Sequence, residues 1–193
     1  MAQRDVLILV VEEDAPVRRI FHEIFLAAGY KCLLASDGGE GLKVFLGSRP
    51  SLVVTDLGMP MTSGGERVAN AGIELLQQVR QEDPDAAVIV CTGMPNVKTA
   101  IRSLKLGAYA FLMKPIIVDE LLIVAERALE RRRLLIEHRQ YHATLEALGS
   151  ALGVAKAEIK RCAATHLDPA VVEAFFKVPE TLLDGMLRRK SEP

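Results

Sequence analysis

Short apolar runs alternate with stretches of helical spacing along the first two thirds of the chain. The runs DVLILVV, KCLLA, SLVVT, AAVIVC and AYAFLM are each bounded by turn residues and predict five strands. Between them apolar residues recur every three or four positions, as in Ile20, Ile24 and Ala27 or Leu75, Leu76 and Val79, which predicts helices. Near-continuous apolar strands joined by helices mean a parallel sheet covered on both faces, and right-handed crossovers then leave few topologies. In such sheets the ligand site lies outside the carboxyl ends of the strands.

From Asp119 a helical pattern continues with no proline or glycine until Gly149, longer than the sheet domain requires, and is expected to project from it. Leu121, Ala125, Ala128 and Leu135 offer a partial heptad seam interrupted by Arg132 and Arg139, which suits a short dimer contact better than a long coiled coil. The run ERRR reads as a solvated helix face. His138 and His142, four residues apart, have metal-ligand spacing but read as a surface pair. The chain thus divides into a sheet domain over 1–130, a helical linker over 131–150 and a small helical segment over 151–193.

Composition excludes several classes. Half of the 193 residues are apolar and the net charge is −1, as for a soluble globular protein. No apolar run reaches the length of a membrane span and the N-terminus carries no signal pattern, so the expected location is cytoplasmic, without a membrane partner. Cys32, Cys91 and Cys162 are far apart and odd in number, which argues against a disulfide framework or a zinc site and for reduced thiols packed as small hydrophobes.

The predicted strand ends carry the candidate chemistry. Leu52, Val53 and Val54 lead into Asp56, a carboxylate that must reach solvent or find partners. The first strand ends in Glu12, Glu13 and Asp14, the fourth in Thr92, and the fifth in Lys114-Pro115. Clustered carboxylates repel unless a cation holds them, and hard oxygen ligands suit Mg2+. A carboxylate nucleophile, a metal, a hydroxyl and a lysine are the components of phosphoryl transfer. Asp14 before Ala15-Pro16 reads as a helix cap.

Residues 5 to about 130 resemble the receiver domain of two-component response regulators. ILVVEEDAPVRRIF resembles the family's first strand and acidic turn, LVVTDLGMP its phosphorylation strand, and AVIVCTG with LKLGAYAFLMKP its last two strands. The resemblance implies a doubly wound, flavodoxin-like α/β fold: a five-stranded parallel sheet flanked by helices, here with a long helical C-terminal extension. It implies that Asp56 accepts a phosphoryl group from a sensor histidine kinase or phosphotransfer protein, and that the chain signals rather than acting as an enzyme. Glu12, Glu13, Asp56 and the Gly58 carbonyl would hold Mg2+, Thr92 and Lys114 would bind phosphoryl oxygens, and Phe111 would change rotamer on activation. The Lys114-Pro115 bond is often cis in this family.

Two departures stand out. Glu13 occupies the position of the usual metal-binding aspartate and is one methylene longer, which bears on metal affinity. After Met59-Pro60 the chain reads MTSGGERVANAGIELL; if Gly72-Ile73-Glu74-Leu75 is the family's turn and helix start, the 61–71 loop is longer by about eight residues, as a lid, a docking surface or a plain surface insertion. The last segment, AEIKRCAATHLDPAVVEAFFKVPETLLDG, resembles the C-terminal end of HD-GYP phosphodiesterase domains, but neither metal-binding signature occurs, so no phosphodiesterase activity is expected.

The expected output is protein interaction or a homodimer with a downstream protein partner. LEALGSALGVAKAEIKRC has the cadence of helix, glycine turn, helix, which keeps nucleic acid as an alternative, although the region from Glu126 onward is only faintly basic. A receiver that never takes phosphate, because of Glu13, is the third reading.

Overall fold

The computed structural model describes residues 6–59, 61, 71–93 and 96–163. Strands β1 (Leu7–Val11), β2 (Lys31–Ala35), β3 (Leu52–Asp56), β4 (Ala87–Thr92) and β5 (Ala110–Met113) alternate with helices α1 (Ala15–Ala27), α2 (Gly38–Ser48), α3 (Ala71–Glu82), α4 (Val97–Lys105) and α5 (Val118–Ala163). All strand pairs are parallel and the sheet order is β2-β1-β3-β4-β5, the doubly wound arrangement the sequence predicts. By contacts the chain divides into two compact units, Met1–Glu137 and His138–Pro193.

Apolar residues fill both faces of the sheet because successive strand side chains point to opposite sides. Leu9, Val11, Val53, Val88 and Val90 pack with Phe45 of α2 and Leu75, Leu76 and Val79 of α3. Ile8, Val10, Leu52, Val54 and Ile89 pack with Phe21 and Phe25 of α1 and with Leu121, Ala125 and Ala128 of α5. The last three are almost completely buried, which corrects the heptad reading. Their three-four spacing is the inner stripe of a helix lying on a sheet, a pattern that the sequence shares with a coiled-coil seam.

Two further expectations about the extension are corrected. Helix α5 runs unbroken through Gly149 and Gly153 to Ala163, so the glycine turn of a helix-turn-helix is absent. A helical glycine costs about 1 kcal/mol relative to alanine and does not by itself end a helix whose neighbours favour it. Nor is ERRR uniformly solvated. Arg132 is mostly buried and its Nη2 lies 2.7 Å from Asp83 Oδ2 in the turn after α3. Arg131 lies over the Tyr109 ring, while Arg133 pairs with Glu130.

Burial would raise the Asp83 pKa, but the hydrogen bond from Arg132 and those from nearby backbone amides hold it below the ordinary aspartate value. A depressed carboxylate pKa adds stability above the unfolded-state value and loses it as pH falls through the folded one. Arg132→Ala is therefore expected to cost about 1–3 kcal/mol at neutral pH, with a smaller difference as Asp83 becomes protonated. Urea unfolding at neutral pH and at pH below the ordinary aspartate value measures both.

Gly72, in the first turn of α3, is required by close backbone approach. A Cβ there would stand 2.0 Å from the Asp56 carbonyl oxygen and 2.9 Å from Leu57 Cα. The Gly72 amide donates to the Leu57 carbonyl at 3.2 Å, so the helix start is fastened to the chain leaving β3. Gly72→Ala is expected to destabilise by about 1–3 kcal/mol, since backbone cannot yield as a side chain does. Gly47→Ala, in the open within α2, is the matched control and should stabilise by about 0.5–1 kcal/mol. Comparing urea midpoints of the two variants separates steric conflict from helix propensity.

Of the 61–71 insertion, Met61 and Ala71 are described: the Met61 carbonyl accepts from Gly39 N–H at 2.9 Å and Ala71 opens α3. Its other residues lie outside the described residues, as does most of the segment that resembles HD-GYP domains.

Candidate functional site

β3 delivers Asp56 to the carboxyl edge of the sheet. Five consecutive buried residues leave the strand no freedom to rotate its last side chain away, and Asp56 retains 7% of its exposure. Its Oδ1 accepts from Leu57 N–H at 2.6 Å and lies 3.4 Å from Gly58 N, while its Oδ2 accepts from Lys114 Nζ at 2.8 Å. The same ammonium donates to Glu12 Oε2 at 2.6 Å. One nitrogen thus spans the ends of β1 and β3, and it is placed by a second pair of strands: Lys114 N–H donates to the Thr92 carbonyl at 2.8 Å, tying the end of β5 to that of β4. The Lys114-Pro115 bond is cis.

Glu12 is 2% exposed, and this burial is the main reason its pKa is raised above the ordinary value. The hydrogen bond and charge of Lys114 pull the other way and Asp56 adds to the rise. For Lys114 burial alone would lower the pKa, but its bonds to Asp56 and Glu12 prevail and hold it above the usual lysine value. Two carboxylates against one ammonium leave a formal charge of −1 among these three groups.

Asp14 caps α1 as its sequence context predicts, accepting from Val17 N–H at 3.0 Å, and its own amide donates to Glu12 Oε1 at 3.3 Å. Glu13 lies half-buried beside it. Among the described residues no three His, Cys, Asp or Glu side chains are grouped to hold a metal. Thr92 is buried at the end of β4. Phe111, half-buried, pairs with Val90 across β4 and β5 and packs against the sheet face that carries α2 and α3. Gly58 lies two residues beyond Asp56, and nothing stands within 4 Å of where its Cβ would be.

Arg18 was not among the sequence-predicted groups. Its Nη1 donates to the carbonyls of Glu12 at 2.5 Å and Glu13 at 3.2 Å, which fixes the acidic turn against α1. The signal available was its place one helical turn beyond the Asp14 cap. Cys91, which pairs with Asp56 across β3 and β4, has its thiol pushed up to about 12 by burial, and Cys32 likewise to about 12, so both are unreactive small hydrophobes.

The donor set fits a hard divalent cation. Two carboxylates hydrogen-bonded to a single ammonium nitrogen lie close enough to share a cation, all candidate donors are oxygens, and the net negative charge leaves the site short of positive charge.

Residues 8–126 match the family of response regulator receiver domains. The chain is 33% identical over 133 residues to the nitrogen assimilation regulatory protein NtrX of Azorhizobium caulinodans, covering 69% of this chain and 28% of that protein. It is 34% identical over 132 residues to the C4-dicarboxylate transport transcriptional regulatory protein DctD of Pseudomonas aeruginosa, covering 68% and 27%. Among solved structures, a receiver domain protein from Clostridium thermocellum superposes with a TM-score of 0.60 at 30% identity, over 67% of this chain and 98% of that one. NtrX from Brucella abortus superposes with a TM-score of 0.62 at 31% identity, over 70% and 30%. The chain spans little more than a quarter of the length of these curated relatives.

Proposed function

The chain belongs to the response regulator receiver domain family, and on that premise we propose that Asp56 is the phosphoryl acceptor of a two-component phosphorelay. The observation that carries this reading is the Lys114 ammonium bonded to both Asp56 and Glu12 at the carboxyl edge of the sheet. A histidine kinase or phosphotransfer protein supplies the group: its phosphohistidine N–P bond breaks while an O–P bond forms at Asp56, and the imidazole leaves and takes up a proton. Mg2+, held by Glu12, Glu13, Asp56 and the Gly58 carbonyl, would neutralise phosphoryl oxygens.

Lys114 then exchanges a carboxylate partner for a phosphoryl oxygen and the Thr92 hydroxyl binds another. Phe111 lies between these groups in sequence and packs against the core on the sheet face that carries α2 and α3, so its rotamer couples site charge to the face formed by β5 and its helices. The chain acts as a signalling protein in the cytoplasm; no helix among the described residues is long and apolar enough to cross a membrane. Within the second unit Tyr141, Leu145 and Leu148 follow three-four spacing and are all exposed, a stripe suited to a second copy or a downstream protein partner.

Intact mass after treatment with a small-molecule phosphodonor tests the reading, with light scattering on the same samples. A gain of one phosphoryl that requires Mg2+ and maps to Asp56 supports it, and a shift in oligomeric state locates the output. No gain supports a receiver that takes no phosphate, with Glu13→Asp as the restoring variant. A DNA-binding output is favoured by relatives named as transcriptional regulators. Binding of genomic fragments that weakens steeply with salt would support it.

A further inference from the structure

The pair of imidazoles on α5 belongs to the second unit and is not among the residues assigned to phosphoryl transfer. His138 and His142 stand one turn apart on the solvent side of the helix, both exposed, with Nε2 atoms 3.2 Å from each other. Their ring centroids are 4.4 Å apart and the rings are tilted by 58°. The rings are therefore not stacked; their outer nitrogens converge on one point.

A metal fixes the separation of two chelating nitrogens. With metal–nitrogen distances of about 2.0–2.1 Å, cis ligands are separated by about 2.9 Å at a right angle and about 3.3 Å at the tetrahedral angle. The observed 3.2 Å falls between these values. We propose that His138 and His142 form a chelating site for a borderline divalent transition metal, of the Zn2+, Ni2+ and Cu2+ class. Imidazole nitrogens select these ions over Mg2+, which takes oxygen ligands, so this site and the Asp56 site differ in cation.

In the metal-free pair one Nε2–H donates to the other Nε2. On chelation that proton passes through solvent to the Nδ1 of its own ring. Both Nε2 lone pairs then face the metal, both rings carry Nδ1–H, and no net proton is released. Water fills the remaining coordination positions, since no third carboxylate, imidazole or thiolate side chain among the described residues is grouped with the pair. Chelation clamps the first turn of the second unit in helical form.

Calorimetric titration of the full chain with Ni2+, in excess Mg2+ to occupy carboxylates and in a Cys162→Ser background, tests the site. The comparison set is His138→Ala, His142→Ala, and the double variant His142→Ala/Ala143→His, which keeps the imidazole count but moves one ring off the shared face. One ion per chain is expected, with affinity weakened on the order of tenfold or more in all three variants while circular dichroism shows unchanged helix. Equal affinity in the spacing variant would mean that the ion finds imidazoles irrespective of geometry, and the site as proposed would be wrong. Absence of binding by the parent chain would overturn it as well.

Discussion

Asp56→Asn is expected to take up no phosphoryl group under conditions in which the unaltered chain gains one. Asparagine preserves the shape and the carbonyl oxygen that accepts from Leu57 N–H at 2.6 Å, but its amide is not a nucleophile. The fold should survive. The substitution weakens one charge-assisted bond to Lys114 yet also removes the charge that helps to raise the Glu12 pKa. These effects oppose each other, so unfolding free energy should change by no more than about 1–2 kcal/mol. Mass spectrometry with a phosphodonor and Mg2+, beside urea unfolding of the same preparations, reads both. Unchanged phosphorylation in a folded variant would place the acceptor elsewhere and remove the basis of the proposed function.

The alternation of strands and helices was legible because each element advertises a different period. Leu52-Val53-Val54 can only be covered on both faces, and strands so covered must be parallel and wound by helices. The carboxyl-edge rule then collects Glu12, Asp56, Thr92 and Lys114 without any knowledge of contacts. What the sequence did not yield is whatever depends on a specific partner across space. Leu121, Ala125 and Ala128 have the same spacing whether they meet a sheet or a second helix. Arg132 looks like its neighbours in ERRR until Asp83 is placed opposite it. Gly72 reads as a turn residue, whereas its requirement comes from the Asp56 carbonyl 2.0 Å from where a Cβ would be.

Local propensity also misled where it was weak. Gly149 and Gly153 suggested a turn, but the residues around them, rich in alanine and leucine, favour helix enough to carry α5 through. This matters for output. Within the described residues the helix carries no turn at these glycines, so the helix, turn, helix cadence read from this stretch is not formed there. The grouping of Glu12 with Asp56, by contrast, follows from topology: β1 and β3 are adjacent in the sheet, so side chains just beyond their ends must be neighbours.

Lys114→Met should give the largest loss of stability among these substitutions. It removes the one cation bonded to both Glu12 and Asp56 and leaves two buried carboxylates facing each other. Breaking such a pair by deleting one partner costs about 3–5 kcal/mol where burial is deep. The pH dependence identifies the cause. A carboxylate whose folded pKa is raised, as that of Glu12 already is, lowers stability above its unfolded value, and the loss is relieved as pH falls. Without Lys114 the Glu12 pKa rises further, so the variant should regain stability relative to the parent as pH drops from neutral toward the ordinary glutamate range. At the alkaline end the raised pKa of Lys114 contributes stability to the parent that is present below the ordinary lysine value and is lost as pH climbs through the folded one. The two pH–stability curves should therefore approach each other at both extremes and differ most near neutrality. Parallel curves would show that methionine merely packs badly, and would assign the loss to shape. A gap that instead closes on adding Mg2+ would show a divalent cation taking the place of the missing ammonium between Glu12 and Asp56, linking the stability of this edge to the metal of the proposed phosphoryl chemistry.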